Sequence, residues 1–146
     1  MSRRAAFFSY PTYGHLTPDL EVVRALIRQG ESVTVWATPR CESLVRAAGA
    51  AFRTYDALDT DFDPRPPTDG LLSDMPRLLS LTGRLLPQLV EEARAERVAY
   101  ALMDTKSVWG RLTAQRLGLP AITLSVVFAI RSDVVPTAAI VNMLYG

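Results

Sequence analysis

Three residue types are almost missing from this sequence of 146 residues, and the scarcity of two of them excludes a class of site. Cys41 is the only cysteine, so neither an intramolecular disulfide nor a cysteine-rich zinc site is available. His15 is the only histidine, which removes multi-histidine metal sites within the chain, and no metal is expected. Lys106 is the only lysine, the other basic residues being arginines. The formal net charge is +1 and no segment is densely basic, so nucleic acid is not an expected partner. Long apolar runs are missing too. The most apolar stretch, Ala121 to Ile130, has half the length that a membrane span requires. The apolar residues after Met1-Ser2-Arg3-Arg4 are too few for a signal peptide. These features predict a soluble, cytoplasmic protein without a membrane span.

Phosphate-binding glycine patterns are also lacking. Neither G-x-G-x-x-G nor G-x-x-x-x-G-K-[ST] occurs, and strand two ends in Trp36-Ala37-Thr38 without the acidic residue that would hold a ribose. A dinucleotide cofactor is therefore not expected, and no cofactor is expected to be bound by this chain. The lack of G-x-S-x-G disfavours an α/β-hydrolase.

What is present is an alternation of strands and helices. Ala5 to Ser9 is apolar on both faces, as in a buried parallel strand. After a loop from Tyr10 to Leu16, Thr17 is placed to cap a helix with Pro18 at its first position and Asp19 in its first turn, and Gly30 is placed to stop it. Ser32 to Ala37 is β-branched and aromatic, and Ala51 to Tyr55 is a short third strand. Thr38-Pro39 is a turn, and Glu42 to Ala48 a short helix ended by Gly49. Asp56 to Gly70 is rich in Asp, Pro and Thr and reads as a mobile surface loop, its acids keeping it solvated. A helical pattern follows from Ser73 to Arg97, with Pro87 suggesting a kink or a join between two helices. Val98 to Met103, ending at Asp104, is a fourth strand; Val108 to Leu117 is a helix closed by Gly118; Ala121 to Val127 is a fifth strand. Phe128 to Gly146 is apolar and weakly patterned.

This order predicts an α/β fold, a doubly wound Rossmann-like parallel sheet of order 3-2-1-4-5. Ligands of such sheets bind outside the carboxyl ends of the strands, where strand order reverses. His15 follows strand one and Asp104 follows strand four, so two titratable residues far apart in sequence are brought to that crevice. Each has two readings. His15 is a local packing residue or a general base, since imidazole titrates near neutrality. Asp104 is a helix cap or the carboxylate that orients the imidazole. Tyr10, Tyr13 and Trp109 are candidates for an apolar ligand pocket, though aromatic residues at strand ends also serve packing. Cys41 is expected to be a small buried hydrophobe.

Ser9-Tyr10-Pro11-Thr12-Tyr13-Gly14-His15-Leu16-Thr17-Pro18-Asp19-Leu20, and Met103-Asp104-Thr105 with the passage Ala114 to Ala121, resemble the N-terminal half of GT-B glycosyltransferases. The resemblance is to the macrolide and antibiotic branch of the UDP-glucosyltransferase superfamily, with Gly14-His15-Leu16-Thr17-Pro18 matching its GH-x-x-P loop and Ala114 to Pro120 its helix-to-strand passage. Thr17 stands where many relatives carry Asn. The resemblance implies an inverting, metal-independent transfer of a sugar to a hydroxyl of a hydrophobic natural-product aglycone. It implies His15 as base, Asp104 as its partner, and residues from Pro64 to Leu89 around the aglycone. The donor would be a UDP- or TDP-sugar, held by a C-terminal domain that lies outside residues 1–146. On that reading residues 1–146 form a partial acceptor-binding domain, inactive alone, whose apolar end packs on a donor-binding domain or on a second copy. A non-catalytic binding or helper protein derived from such a domain is the alternative.

Overall fold

The computed structural model describes residues 2–58 and 75–126. The expectations for most of the Asp56–Gly70 loop, for Pro64 to Asp74, for Val127 and for the segment from Phe128 to Gly146 lie outside these residues. Five strands, β1 (Arg4–Phe8), β2 (Ser32–Ala37), β3 (Ala51–Thr54), β4 (Tyr100–Asp104) and β5 (Ala121–Leu124), form one sheet. Its order is β3-β2-β1-β4-β5, and every pairing is parallel. The helices are α1 (Tyr13–Arg28), α2 (Glu42–Ala47), α3 (Met75–Ala95) and α4 (Val108–Leu117), with a short 3-10 turn at Pro39–Cys41. This is the doubly wound order expected from the sequence.

The central strand explains the two layers. Successive β1 side chains point to opposite faces of the sheet. Ala5 and Phe7 join Leu16, Leu20 and Val23 of α1, and Val45 of α2, in one buried cluster. Ala6 and Phe8 join Leu85 and Leu89 of α3 and Trp109 of α4 in the other. Cys41 is buried in the first layer as a small apolar residue.

The start of α1 and the continuity of α3 differ from expectation. Helix α1 begins at Tyr13, four residues before the expected cap Thr17. Thr12 is the residue in extended geometry at its start, and its carbonyl accepts from the amides of His15 and Leu16. Pro18 consequently lies inside the helix rather than at its first position. An interior proline costs about 3 kcal/mol. Leu16, Leu20 and Val23 are fully buried, and each such side chain contributes about 1.5–3 kcal/mol, so the packed face outweighs the local penalty. Gly30 ends the turn after α1 at φ 86°, a left-handed conformation that glycine adopts without strain. Helix α3 is one continuous element through Pro87, not two joined helices.

Gly110 sets how closely α4 approaches the sheet. A Cβ there would lie 2.6 Å from Phe8 Cβ and 2.9 Å from Ser107 Oγ. Gly110→Ala therefore forces α4 off β1 despite its better helix propensity. We expect a loss of about 1–3 kcal/mol, read as a lower urea midpoint; an unchanged or higher midpoint would contradict the close approach.

Candidate active site

The site lies at the carboxyl ends of β1 and β4, the adjacent strands between which the winding of the sheet reverses. The extension of α1 moves His15 from the expected loop into the first turn of the helix. Asp104 is the last residue of β4. His15 Nδ1 lies 2.7 Å from Asp104 Oδ2, across 89 positions of sequence. The Asp104 side chain is fully buried, whereas that of His15 retains 16% of its exposure.

The two readings of Asp104 turn out to be compatible, because each oxygen takes one of them. Oδ1 accepts the Lys106 backbone N–H at 2.7 Å and fixes the turn before α4. Oδ2 faces the imidazole. A carboxylate on Nδ1 places the ring proton there, and leaves Nε2 with its lone pair. An imidazole held at one ring nitrogen by a carboxylate has the geometry that an oriented base requires.

The three aromatic candidates divide. Tyr13 is 54% exposed, with its hydroxyl donating to the Arg40 carbonyl at 3.2 Å. Tyr10 and Trp109 are buried, in keeping with the packing alternative for aromatic residues at strand ends. They form the floor beneath the imidazole. The Tyr10 ring packs against His15 at 5.0 Å between centroids and stacks on Trp109 at 6.2 Å. Trp109 Nε1–H donates to the Tyr55 hydroxyl at 3.0 Å, which in turn donates to the Ser9 carbonyl at 2.9 Å. The hydrogen-bonded chain ties α4, the end of β3 and the start of the β1–α1 connection together beneath the imidazole. An indole this deeply buried needs such a partner for its N–H, and Tyr55 supplies it.

Sequence reasoning missed two members. Periodicity presents Tyr55 only as the end of a strand. Asp19 is expected as a first-turn acid, but with α1 starting at Tyr13 it falls one turn beyond His15, on the buried face with Leu16, Leu20 and Val23. Its spacing of four from His15 is the available signal. Burial first, and the neighbouring charge of Asp104 second, push the Asp19 carboxyl up to about 7, with His15 acting in the opposite sense. Among the described residues no group of three His, Cys, Asp or Glu side chains is arranged to hold a metal, and no helix is long and apolar enough to cross a membrane. A groove between α3 and α4, lined by Leu86, Pro87, Val90 and Arg94, includes none of these site residues.

A parallel sheet of this order, with a histidine at the start of α1 held by an aspartate at the end of β4, is compatible with the N-terminal part of a GT-B glycosyltransferase. Comparison with known proteins bears this out, and the chain is homologous to the antibiotic glycosyltransferases of that class. It is 33% identical over 122 residues to the oleandomycin glycosyltransferase of Streptomyces antibioticus, a match covering 82% of this chain and 28% of that protein. The structure of the kitacinnamycin glycosyltransferase superposes with a TM-score of 0.74 at 28% identity, covering 90% of this chain and 32% of the other. A Streptomyces glycosyltransferase, SsfS6, solved with thymidine diphosphate, shares the fold at a TM-score of 0.65 and 24% identity, over 84% of this chain and 38% of its own. The chain thus spans about a third of the length of these relatives. No family model matches it.

Proposed function

We propose that these residues form the acceptor side of an inverting, metal-independent glycosyltransferase acting on a hydroxyl of a hydrophobic natural product. The observation that carries this reading is the 2.7 Å contact between His15 Nδ1 and Asp104 Oδ2. It sits at the switch point of the sheet, with the imidazole partly open to solvent.

In this reading His15 Nε2 accepts the proton of the acceptor hydroxyl as the oxygen attacks the anomeric carbon of a nucleotide sugar. The bond from that carbon to the departing diphosphate breaks on the opposite side, which inverts the configuration. Asp104 stabilises the imidazolium that forms and holds the ring in the productive tautomer. A general base of this kind supplies about 10²–10⁴ in rate. Of the three aromatic candidates, Tyr13 is the one an acceptor can reach from solvent, two residues before the base. The nucleotide sugar, a UDP- or TDP-sugar, is assigned to a second, donor-binding domain, and the chain alone binds acceptor without transferring sugar. Homology to antibiotic glycosyltransferases supports the substrate class.

The test is binding and transfer with one acceptor set. Titration of the chain with macrolide and aromatic polyketide aglycones is expected to give saturable binding that weakens in Tyr13→Ala. Addition of a UDP- or TDP-sugar is expected to yield product only when a donor-binding domain is supplied. No binding to any hydroxylated aglycone, or transfer by the chain unaided, would overturn the assignment of roles.

A further inference from the structure

The proposed mechanism leaves one buried ionisable group unused. Asp19 is 4% exposed and lies one turn beyond His15 on α1. Asp104 is the neighbouring charge that acts on it most, after its own burial. Its Oδ2 is buried and has no hydrogen-bond partner among the described residues. Asp104 is already committed on both oxygens, to the Lys106 amide through Oδ1 and to His15 through Oδ2. Two buried neighbouring carboxylates, one with an oxygen that no donor among the described residues reaches, would combine like-charge repulsion with an unsatisfied acceptor. A proton on Asp19 removes both penalties, because it turns that carboxyl from a competing acceptor into a donor toward Asp104.

We infer that Asp19 shares a proton with Asp104 and thereby holds that carboxylate against His15, acting as a positioning residue for the base. This inference rests on the reading of His15 as the base. The charges that act on Asp19 are Asp104, from the end of β4, and His15, from its own helix. They oppose one another. When His15 takes up a proton the imidazolium favours ionisation of Asp19, so proton gain at one group is linked to proton loss at the other. The cluster then titrates as a unit rather than as separate residues. The same proton draws on the charge of Asp104 at rest, and so tempers the pull of that carboxylate on the imidazole.

A lone histidine makes this directly measurable, since every imidazole signal in the chain belongs to His15. We would record the 15N and 1H imidazole resonances of the full chain against pH for the wild type, Asp19→Asn and Asp19→Ala. The wild type is expected to give a broadened curve, the signature of two interacting groups. Asp19→Asn keeps an N–H donor toward Asp104 but cannot ionise, so its curve should narrow to that of a single group. Asp19→Ala removes the donor and leaves the full charge of Asp104 on the ring, so its midpoint should move up by about one unit. Superimposable curves for all three proteins would overturn the inference. A second measurement needs no variant. The 13Cγ shift of Asp19 in the wild type is expected to report a protonated carboxyl at about pH 5.5, above the ordinary aspartate value. An ordinary carboxylate there would equally overturn it. Neither readout involves sugar transfer. A chain that shows this linkage but never transfers sugar, even with a donor-binding domain supplied, would refute the proposed function alone. A chain that transfers sugar under those conditions without the linkage would refute only the role of Asp19.

Discussion

His15→Ala is expected to lower the turnover of sugar transfer by about 10²–10⁴-fold, with the KM for the acceptor changed little. The measurement is steady-state transfer by a protein in which this chain is joined to a donor-binding domain. The asymmetry between kcat and KM follows from where the side chain sits. Its Nδ1 edge is occupied by Asp104 and its ring rests on Tyr10, so the imidazole offers an acceptor mainly the Nε2 lone pair. That lone pair is used in full only as the hydroxyl loses its proton. Losing it removes transition-state stabilisation far more than ground-state binding. A comparable rise in KM at constant kcat would mean that His15 is a binding residue, and the proposed base would have to be sought elsewhere.

Trp109→Ala is expected to carry the largest stability loss of any single truncation in the site, about 3–5 kcal/mol. Three contributions add there. The indole is fully buried in the layer between α3, α4 and the sheet. It stacks on Tyr10 and meets Tyr55 edge-on at 5.7 Å. Its N–H is the donor to the Tyr55 hydroxyl, itself fully buried. Urea unfolding of Trp109→Ala and Trp109→Phe separates the parts. The phenylalanine variant keeps most of the volume and loses the N–H, so its cost should be about 1–3 kcal/mol. If alanine cost no more than phenylalanine, the floor of the site would not depend on the packing of the indole.

Strand order is legible in the sequence because it depends on features that are local and strong. Ser32 to Ala37 and Val108 to Leu117 coincide with β2 and α4 to the residue, each being bounded by a turn-forming sequence and carrying one clear period. Given those elements, the rules for parallel crossovers leave few topologies, and the meeting of His15 with Asp104 follows from topology alone. What is not legible depends on tertiary packing. The start of α1 escapes a local reading because Gly14 and Pro18 argue against a helix, and only the buried face of Leu16, Leu20 and Val23 outweighs them. Asp19 is hidden for the same reason, since its alignment with His15 exists only if the helix already runs through both. Tyr10 and Trp109 fall in the expected neighbourhood but at a greater depth. A period of apolar residues tells which face is inward, not how far below the surface a ring at a strand end will lie.

The β1–α1 junction is gripped from both sides of the sheet. Leu16, next to His15, packs into the layer under α1 and α2, while Tyr10 beneath the imidazole belongs to the layer under α3 and α4. On the proposed function, exchanging segments with related glycosyltransferases to change acceptor preference therefore meets a constraint that a contact map of the ligand would not reveal. A graft that repacks either layer tilts the ring from below even when no residue near the acceptor has been altered. Chimeras that preserve both layers as matched sets should keep their base aimed, and those that splice through one layer should fold yet turn over slowly.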